Sequence, residues 1–227
     1  FLEASFLGFH ALSGSEMSSR AATKSAPEEK VGVFCVRGNA LSVIEYSDLP
    51  NELAHQRETD GTLTYQAGSL AMHAISPAFA DRVGGDDESV KLPFHAALKK
   101  VPTVDDQGNV ILPDEPNGIK LETFVFDAIP LAKRPCVIEV ARGEAFSPVK
   151  NAEGNDSIHT CKADQLRQFA RWAQAAGAEL KTDETGLPAI TFEISPGFSL
   201  DHEEFASRWK AAGSPPLKDG LVLDENL

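Results

Sequence analysis

Two β-rich runs, "VGVFCVRG" and "LSVIEYSDL", are separated by Gly38-Asn39, and this pair constrains the chain more than any other feature. Gly and Asn tolerate the left-handed backbone that a tight turn needs, so the dipeptide predicts a β-hairpin. A hairpin makes neighbouring strands antiparallel, and a sheet that contains one cannot be purely parallel. Elsewhere, helix-like stretches alternate with strand-like ones, which predicts an α/β fold with a mixed sheet.

The expected elements follow from periodicity and turn chemistry. "FLEASFLGFHALSG" reads as a short helix closed by Gly14, followed by a polar stretch. "PNELAHQRET" reads as a short helix behind Pro50. "TLTYQAGSLAMHAIS" is strand-like but interrupted at Gly68-Ser69, where glycine predicts a bulge or a close backbone approach. Pro77 opens a short helix, "PAFADRV", and "GGDDES" is a solvent loop. "LPFHAALKKV" reads as a brief helix, and "VDDQGNVILPDEPNG" as a turn-rich excursion with one short hairpin.

A longer helix is predicted from Gly118 or Ile119 to Ala132, because Leu121, Phe124, Val125, Ala128 and Ile129 recur at helical spacing and Pro130 marks its end. Cys136 to Ala141 reads as a buried strand. "KADQLRQFARWAQAAGAEL" is an amphipathic helix with Asp164 near its start and Gly177 near its end. "LPAITFEISPGFSL" is strand-like and the remaining tail turn-rich. Residues 179–227 hold ten acidic against four basic residues, about −6, which reads as a solvated surface. The expected organisation is a domain over residues 1–151 and a small α+β domain over 152–227.

The net charge of −13 excludes a phosphate-backbone-binding surface of the usual kind, so nucleic acid is not an expected partner. No run approaches the roughly 18 apolar residues of a membrane span, so no membrane partner is expected either. The first residues include Glu3 and no basic flank, unlike a signal peptide, and a start on Phe predicts that the gene product begins further upstream. Cys35, Cys136 and Cys161 are widely spaced with no C-x-x-C, which predicts buried free thiols in a reducing, cytoplasmic setting.

The candidate functional residues each have an ordinary explanation as well. Glu45 ends an apolar run and could be the outward face of a strand. Phe124 and Phe126 could both be core. On a helix, residues two apart cannot point the same way, so one could be core and the other line a cavity. Lys150, in the loop "FSPVKN", could be a solvated lysine. His73 alternates with apolar neighbours and reads as a satisfied imidazole. The scattered histidines form no metal cluster, so no metal ligand is assigned to this chain.

Taken together, five ordered blocks carry a resemblance: "EKVGVFCVRGNALSVIEYSDLP", "TLTYQAGSLAMH", "LPFHAALKKVP", "PNGIKLETFVFDAIPLA" and "EVARGEAFSPVKNA". They resemble the C-terminal half of the UDP-sugar pyrophosphorylases, within the branch that makes UDP-N-acetylglucosamine. The resemblance implies the second half of a Rossmann-like, GT-A-like nucleotidyltransferase domain with a small C-terminal domain. It implies transfer of a uridylyl group from UTP to a sugar 1-phosphate with release of pyrophosphate, and a requirement for Mg²⁺.

Roles follow from the same resemblance. Gly32 would give backbone contact to the sugar, and Glu45 would accept hydrogen bonds from its hydroxyls. The turn at Gly68 and Ser69 would touch the sugar too, with Ser69 standing where the family usually carries Asn. Phe124 and Phe126 would wall the pocket for the 2-substituent. Lys150 would bind phosphate, held in place by a rigid helix and strand behind its loop. The family's "GGxGTRLG"-type UTP loop and its metal-binding aspartate do not occur here, so the N-terminal half of such an enzyme is an expected partner. Glucose 1-phosphate as substrate, and a non-catalytic sugar-nucleotide-binding module, are the alternatives.

Overall fold

Gly38 adopts φ 61° and the predicted hairpin forms, with β2 (Val33–Arg37) paired antiparallel to β3 (Ala40–Ile44). The structure, a computed structural model, describes residues 4–87 and 90–226. Phe1–Glu3 of the predicted first helix and part of the "GGDDES" loop lie outside the described residues. The chain divides into two compact units, Phe1–Glu139 and Val140–Leu227.

In the first unit, α1 (Ala4–Ser13) ends at Gly14, whose φ of 60° stops the helix as predicted. Next comes β1 (Met17–Thr23), and after the hairpin α2 (Asn51–Ala54), β4 (Ala67–Ile75) and α3 (Pro77–Gly84). β5 (His95–Lys99), β6 (Thr103–Val104), β7 (Val110–Ile111) and β8 (Gly118–Glu122) lead to a 3₁₀ helix over Val125–Leu131 and then β9 (Cys136–Glu139). The main sheet has the order β3-β2-β4-β1-β9. Only its β1–β9 pair is parallel, so the sheet is mixed as predicted.

The strand β1 was not foreseen. "MSSRAAT" reads as polar, yet Met17 to Ala22 are all buried. Partners reconcile the two serines with burial: Ser18 Oγ lies 2.8 Å from His10 Nδ1 and Ser19 Oγ 2.9 Å from His73 Nδ1. The Arg20 guanidinium lies 4.7 Å over the Phe6 ring. A polar residue whose hydrogen bonds are met locally can occupy a central strand at little cost. His73 is thus a satisfied imidazole, and burial pushes its pKa down.

The predicted helix over 119–132 does not exist as such. Residues 118–122 instead pair with β5, from His95↔Glu122 to Lys99↔Gly118, so the "LPFHAALKKV" helix is also replaced by a strand. Asn117 fastens the ribbon, accepting from Val101 N–H (2.7 Å) and donating to its carbonyl (3.0 Å). Only Ala128 and Ile129 of the expected stripe are buried, while Leu121 and Val125 are more than half exposed. Pro130 is accommodated because it sits near the end of a short 3₁₀ segment. The short β6–β7 hairpin forms as predicted.

Met17, Ala21, Phe34, Phe79, Ala128 and Ile129 form the first unit's core, with Phe126 packed against it. Glu16 staples this region. Its carboxylate accepts from both Arg82 guanidinium nitrogens (2.8 and 2.7 Å) and from Lys133 N–H (2.7 Å). Arg82 and then Lys133 N–H hold the Glu16 carboxyl down to about 2, against an ordinary value of 4.5. A depressed carboxylate stabilises the fold above its unfolded pKa, and this contribution is lost as pH falls through the folded value. The thermal midpoint should therefore fall between about pH 4.5 and 2 more steeply in the native chain than in Glu16→Gln. Equal slopes across that window would contradict the assignment.

The second unit holds α4 (Arg142–Ala145), α5 (Ile158–Ala175), β10 (Phe192–Ile194), α6 (His202–Ala211) and β11 (Leu221–Leu223). α5 begins earlier than predicted, because Ser157 and Thr160 form a capping box; Gly177, at φ 100°, follows its end. α6 was not foreseen. Asp201 caps it by accepting from Glu204 N–H at 2.8 Å. β10 and β11 pair in parallel. The core is Ala173, Phe192, Ile194, Phe198, Phe205, Trp209 and Leu223. The three cysteines are free but half-buried rather than buried, and burial pushes the Cys35 thiol up.

Candidate functional site

Four of the residues predicted to contact a ligand, Gly32, Glu45, Gly68 and Ser69, converge at the junction of β2, β3 and β4. Ser69 N–H donates to the Gly32 carbonyl at 2.7 Å, and Val33 stands opposite Gly68. A side chain at either glycine would meet close neighbours. A Cβ on Gly32 would lie 2.8 Å from Val43 Cγ1 and 3.2 Å from a Glu45 carboxylate oxygen. One on Gly68 would lie 3.0 Å from Val31 Cγ2 and 3.1 Å from the Ala22 carbonyl. Gly32, Glu45, Gly68 and Ser69 thus form one cluster.

The irregularity predicted at Gly68-Ser69 is a bulge just beyond it. The register shifts between the Ser19↔His73 and Ala21↔Ser69 pairs, and Ala71 takes a left-handed φ of 53°. Ser69 Oγ accepts from Ala71 N–H at 3.4 Å, so the hydroxyl is tied into the bulge. Glu45 is half-buried and follows β3 directly; its carbonyl accepts from Asp48 and Leu49 N–H, which fixes the turn.

Sequence reasoning missed Lys24, which lies beside this cluster. It is 6% exposed, its stem would lie 3.4 Å from a Cβ placed on Gly68, and its ammonium donates to the Pro27 carbonyl at 2.8 Å. Burial pushes its pKa down against the opposing pull of Glu29 and Glu28. Its signal was its position directly after a strand that itself went unread.

Phe124 and Phe126 do not sit on an α-helix, so the two-residue argument fails. Phe124 is extended and Phe126 lies in the 3₁₀ turn, and their rings stack 4.8 Å apart at 17°. Both are half-buried. Their segment packs against β3, the strand that leads to Glu45.

Lys150 belongs to the second unit, and its side chain is exposed. The helix predicted to support it is absent. Its backbone is fixed instead by the loop that leads into α5. Lys150 N–H donates to the Asp156 carbonyl at 2.7 Å, Asn151 N–H to the same oxygen at 3.0 Å, and Asn151 Nδ2 to the Asn155 carbonyl at 2.8 Å. Ser157, bridged to Asn151, is the N-cap of α5. The same unit has a shallow cleft of about 180 Å³ between α4 and α5, lined by Glu144, Phe146, Cys161, Asp164 and Gln168 among others.

A family model described as UTP–glucose-1-phosphate uridylyltransferase matches residues 2–168. The chain belongs to that family. It is 43% identical over 237 residues to the human UDP-N-acetylhexosamine pyrophosphorylase-like protein 1, covering 97% of this chain and 46% of that protein. It is 38% identical over 226 residues to the UDP-N-acetylglucosamine pyrophosphorylase of Saccharomyces cerevisiae, covering 97% and 45%. The chain therefore spans about half the length of the curated relatives it matches.

Among solved structures, one from Entamoeba histolytica is 32% identical with a TM-score of 0.74, covering 96% of this chain and 50% of that one. The UDP-N-acetylglucosamine pyrophosphorylase of Trypanosoma brucei, at 22% identity and a TM-score of 0.72, shares the fold. The mixed α/β architecture is thus that of this group of structures.

Among the described residues, there is no group of three or more His, Cys, Asp or Glu side chains that could hold a metal ion. Among the same residues, no helix is long and apolar enough to cross a membrane.

Proposed function

We propose that this chain supplies the sugar side of a uridylyltransferase that makes a UDP-sugar, with N-acetylglucosamine 1-phosphate as the acceptor. A phosphate oxygen of the sugar 1-phosphate attacks the α-phosphorus of UTP. The bond from that phosphorus to the bridging oxygen of the β-phosphate breaks, and pyrophosphate leaves with the electron pair. The observation that carries this reading is the tight junction in which the Gly32 and Gly68 backbones are drawn together, with Ser69 N–H on the Gly32 carbonyl at 2.7 Å, beside the half-buried Glu45 carboxylate. A positioned carboxylate acceptor of this kind suits a ligand rich in hydroxyls.

In this reading Gly32, Gly68 and Ser69 line the sugar, Glu45 accepts from its hydroxyls, and the Phe124–Phe126 stack walls the 2-substituent. Lys150 neutralises phosphate charge that grows in the transition state, so the chain contributes positioning and electrostatics rather than a nucleophile. UTP recognition and the donors for Mg²⁺ come from sequence outside this chain, in a GT-A-like domain of which residues 1–151 are the second half and 152–227 a small appended domain. Free thiols fit a cytoplasmic setting.

A coupled pyrophosphate-release assay on the complete gene product that contains this chain tests the reading. Release with UTP and N-acetylglucosamine 1-phosphate, faster than with glucose 1-phosphate, is the expected result. No release with either sugar phosphate in the presence of Mg²⁺ would overturn it.

A further inference from the structure

A histidine–aspartate pair stands behind the aromatic stack. His95, at the start of β5, places Nε2 2.7 Å from Asp127 Oδ2. The carboxylate only accepts, so Nε2 carries the proton. The His95 ring also lies 4.6 Å from the Phe124 ring at 48°, and Phe124 in turn stacks on Phe126. Asp127 closes the loop of contacts, because its own N–H donates to the Phe124 carbonyl at 3.0 Å. One imidazole thus ties the β5–β8 ribbon to the first turn of the 3₁₀ helix and braces the outer of two stacked rings.

The pair is not a device for stability alone. Both side chains are mostly buried, 32% exposed for His95 and 18% for Asp127, so their hydrogen bond contributes to folding as well as to orientation. What it fixes is orientation. A ring pair held only by its own stacking can slide or tilt, whereas Phe124 is held between Phe126 and an imidazole that is itself locked by a carboxylate.

We propose that His95 and Asp127 are positioning residues for the Phe124–Phe126 wall, and that they set the preference between an N-acetyl group and a hydroxyl on the sugar's second carbon. This rests on the reading of those two rings as the wall of the sugar pocket. A loosened wall still admits the smaller hydroxyl but packs less closely on the acetyl methyl, and contact of that size is worth about tenfold in discrimination.

The experiment compares kcat and KM for N-acetylglucosamine 1-phosphate and glucose 1-phosphate, in the complete gene product, with UTP and Mg²⁺. The variants are His95→Phe, which keeps a ring against Phe124 but removes the hydrogen bond, Asp127→Ala, and Asp127→Asn, which keeps an acceptor for Nε2. Binding of UDP-N-acetylglucosamine and UDP-glucose by calorimetry and the thermal midpoint are measured on the same proteins. His95→Phe and Asp127→Ala should lower the N-acetylglucosamine-to-glucose ratio of kcat/KM by about tenfold, through KM, while Asp127→Asn stays near wild type. An unchanged ratio in His95→Phe and Asp127→Ala, or a fall in kcat alone, overturns the inference. If the wild type neither turns over nor binds either sugar nucleotide, the proposed function itself has failed, and the inference with it.

Discussion

The Lys150→Ala variant of the complete gene product is expected to lose about two to three orders of magnitude in turnover, with its thermal midpoint little changed. The two halves of this expectation have different causes. The side chain is exposed, so its removal leaves no cavity, and exposed charge contacts contribute little to folding. The backbone beneath it is held by the Asp156 carbonyl and by the cap of α5, neither of which depends on the ammonium. Phosphoryl transfer, by contrast, concentrates negative charge on oxygens that a nearby cation stabilises more in the transition state than in the ground state. Lys150→Arg keeps the charge but replaces a compact ammonium with a planar fork, and partial recovery of kcat is expected. A fall in thermal midpoint that matches the fall in turnover would instead make Lys150 a structural residue.

The largest effect on stability is expected at Phe205. Its side chain is fully buried between Phe198, edge-on at 6.1 Å, and Trp209, stacked at 6.1 Å, in the core that also holds Ala173, Ile194 and Leu223. Phe205→Ala removes a ring from a closely packed site that can collapse only partly, which costs about 3–5 kcal/mol. The loss should be confined to the second unit, and the protein supplies its own reporter. Both tryptophans, Trp172 and Trp209, lie in that unit, so denaturant unfolding followed by their fluorescence reads it alone. A shift below about 1 kcal/mol would mean that this core is less tightly packed than the structure has it.

Phe205 also illustrates what could be read from the sequence. The helix that carries it, α6, presents only Phe205 and Trp209 as large buried anchors in a charged segment, too sparse a stripe to separate from an acidic tail. β1 was hidden for the opposite reason. Ser18, Ser19 and Arg20 look like a solvated loop until His10, His73 and Phe6, distant in the chain, are placed beside them. At 118–132 a true helical spacing misled, because Leu121 and Val125 fit a stripe equally well from a strand and a 3₁₀ turn.

Features set by local chemistry were legible. Gly38-Asn39 made its hairpin, Pro77 opened α3, and Gly14 and Gly177 followed the ends of their helices. In the candidate site the same division holds. The glycine at 68 announced a close approach from sequence alone, whereas Lys24 and the His95–Asp127 pair depend on neighbours that only the folded chain supplies.

A crystal structure of the complete gene product with UDP-N-acetylglucosamine tests most directly whether Gly32, Glu45 and the Phe124–Phe126 stack serve one sugar. Sugar hydroxyls should be hydrogen-bonded to Glu45 and to backbone at Gly32, with the N-acetyl methyl against the two rings. A sugar bound away from Gly32, Glu45 and both rings would contradict that assignment.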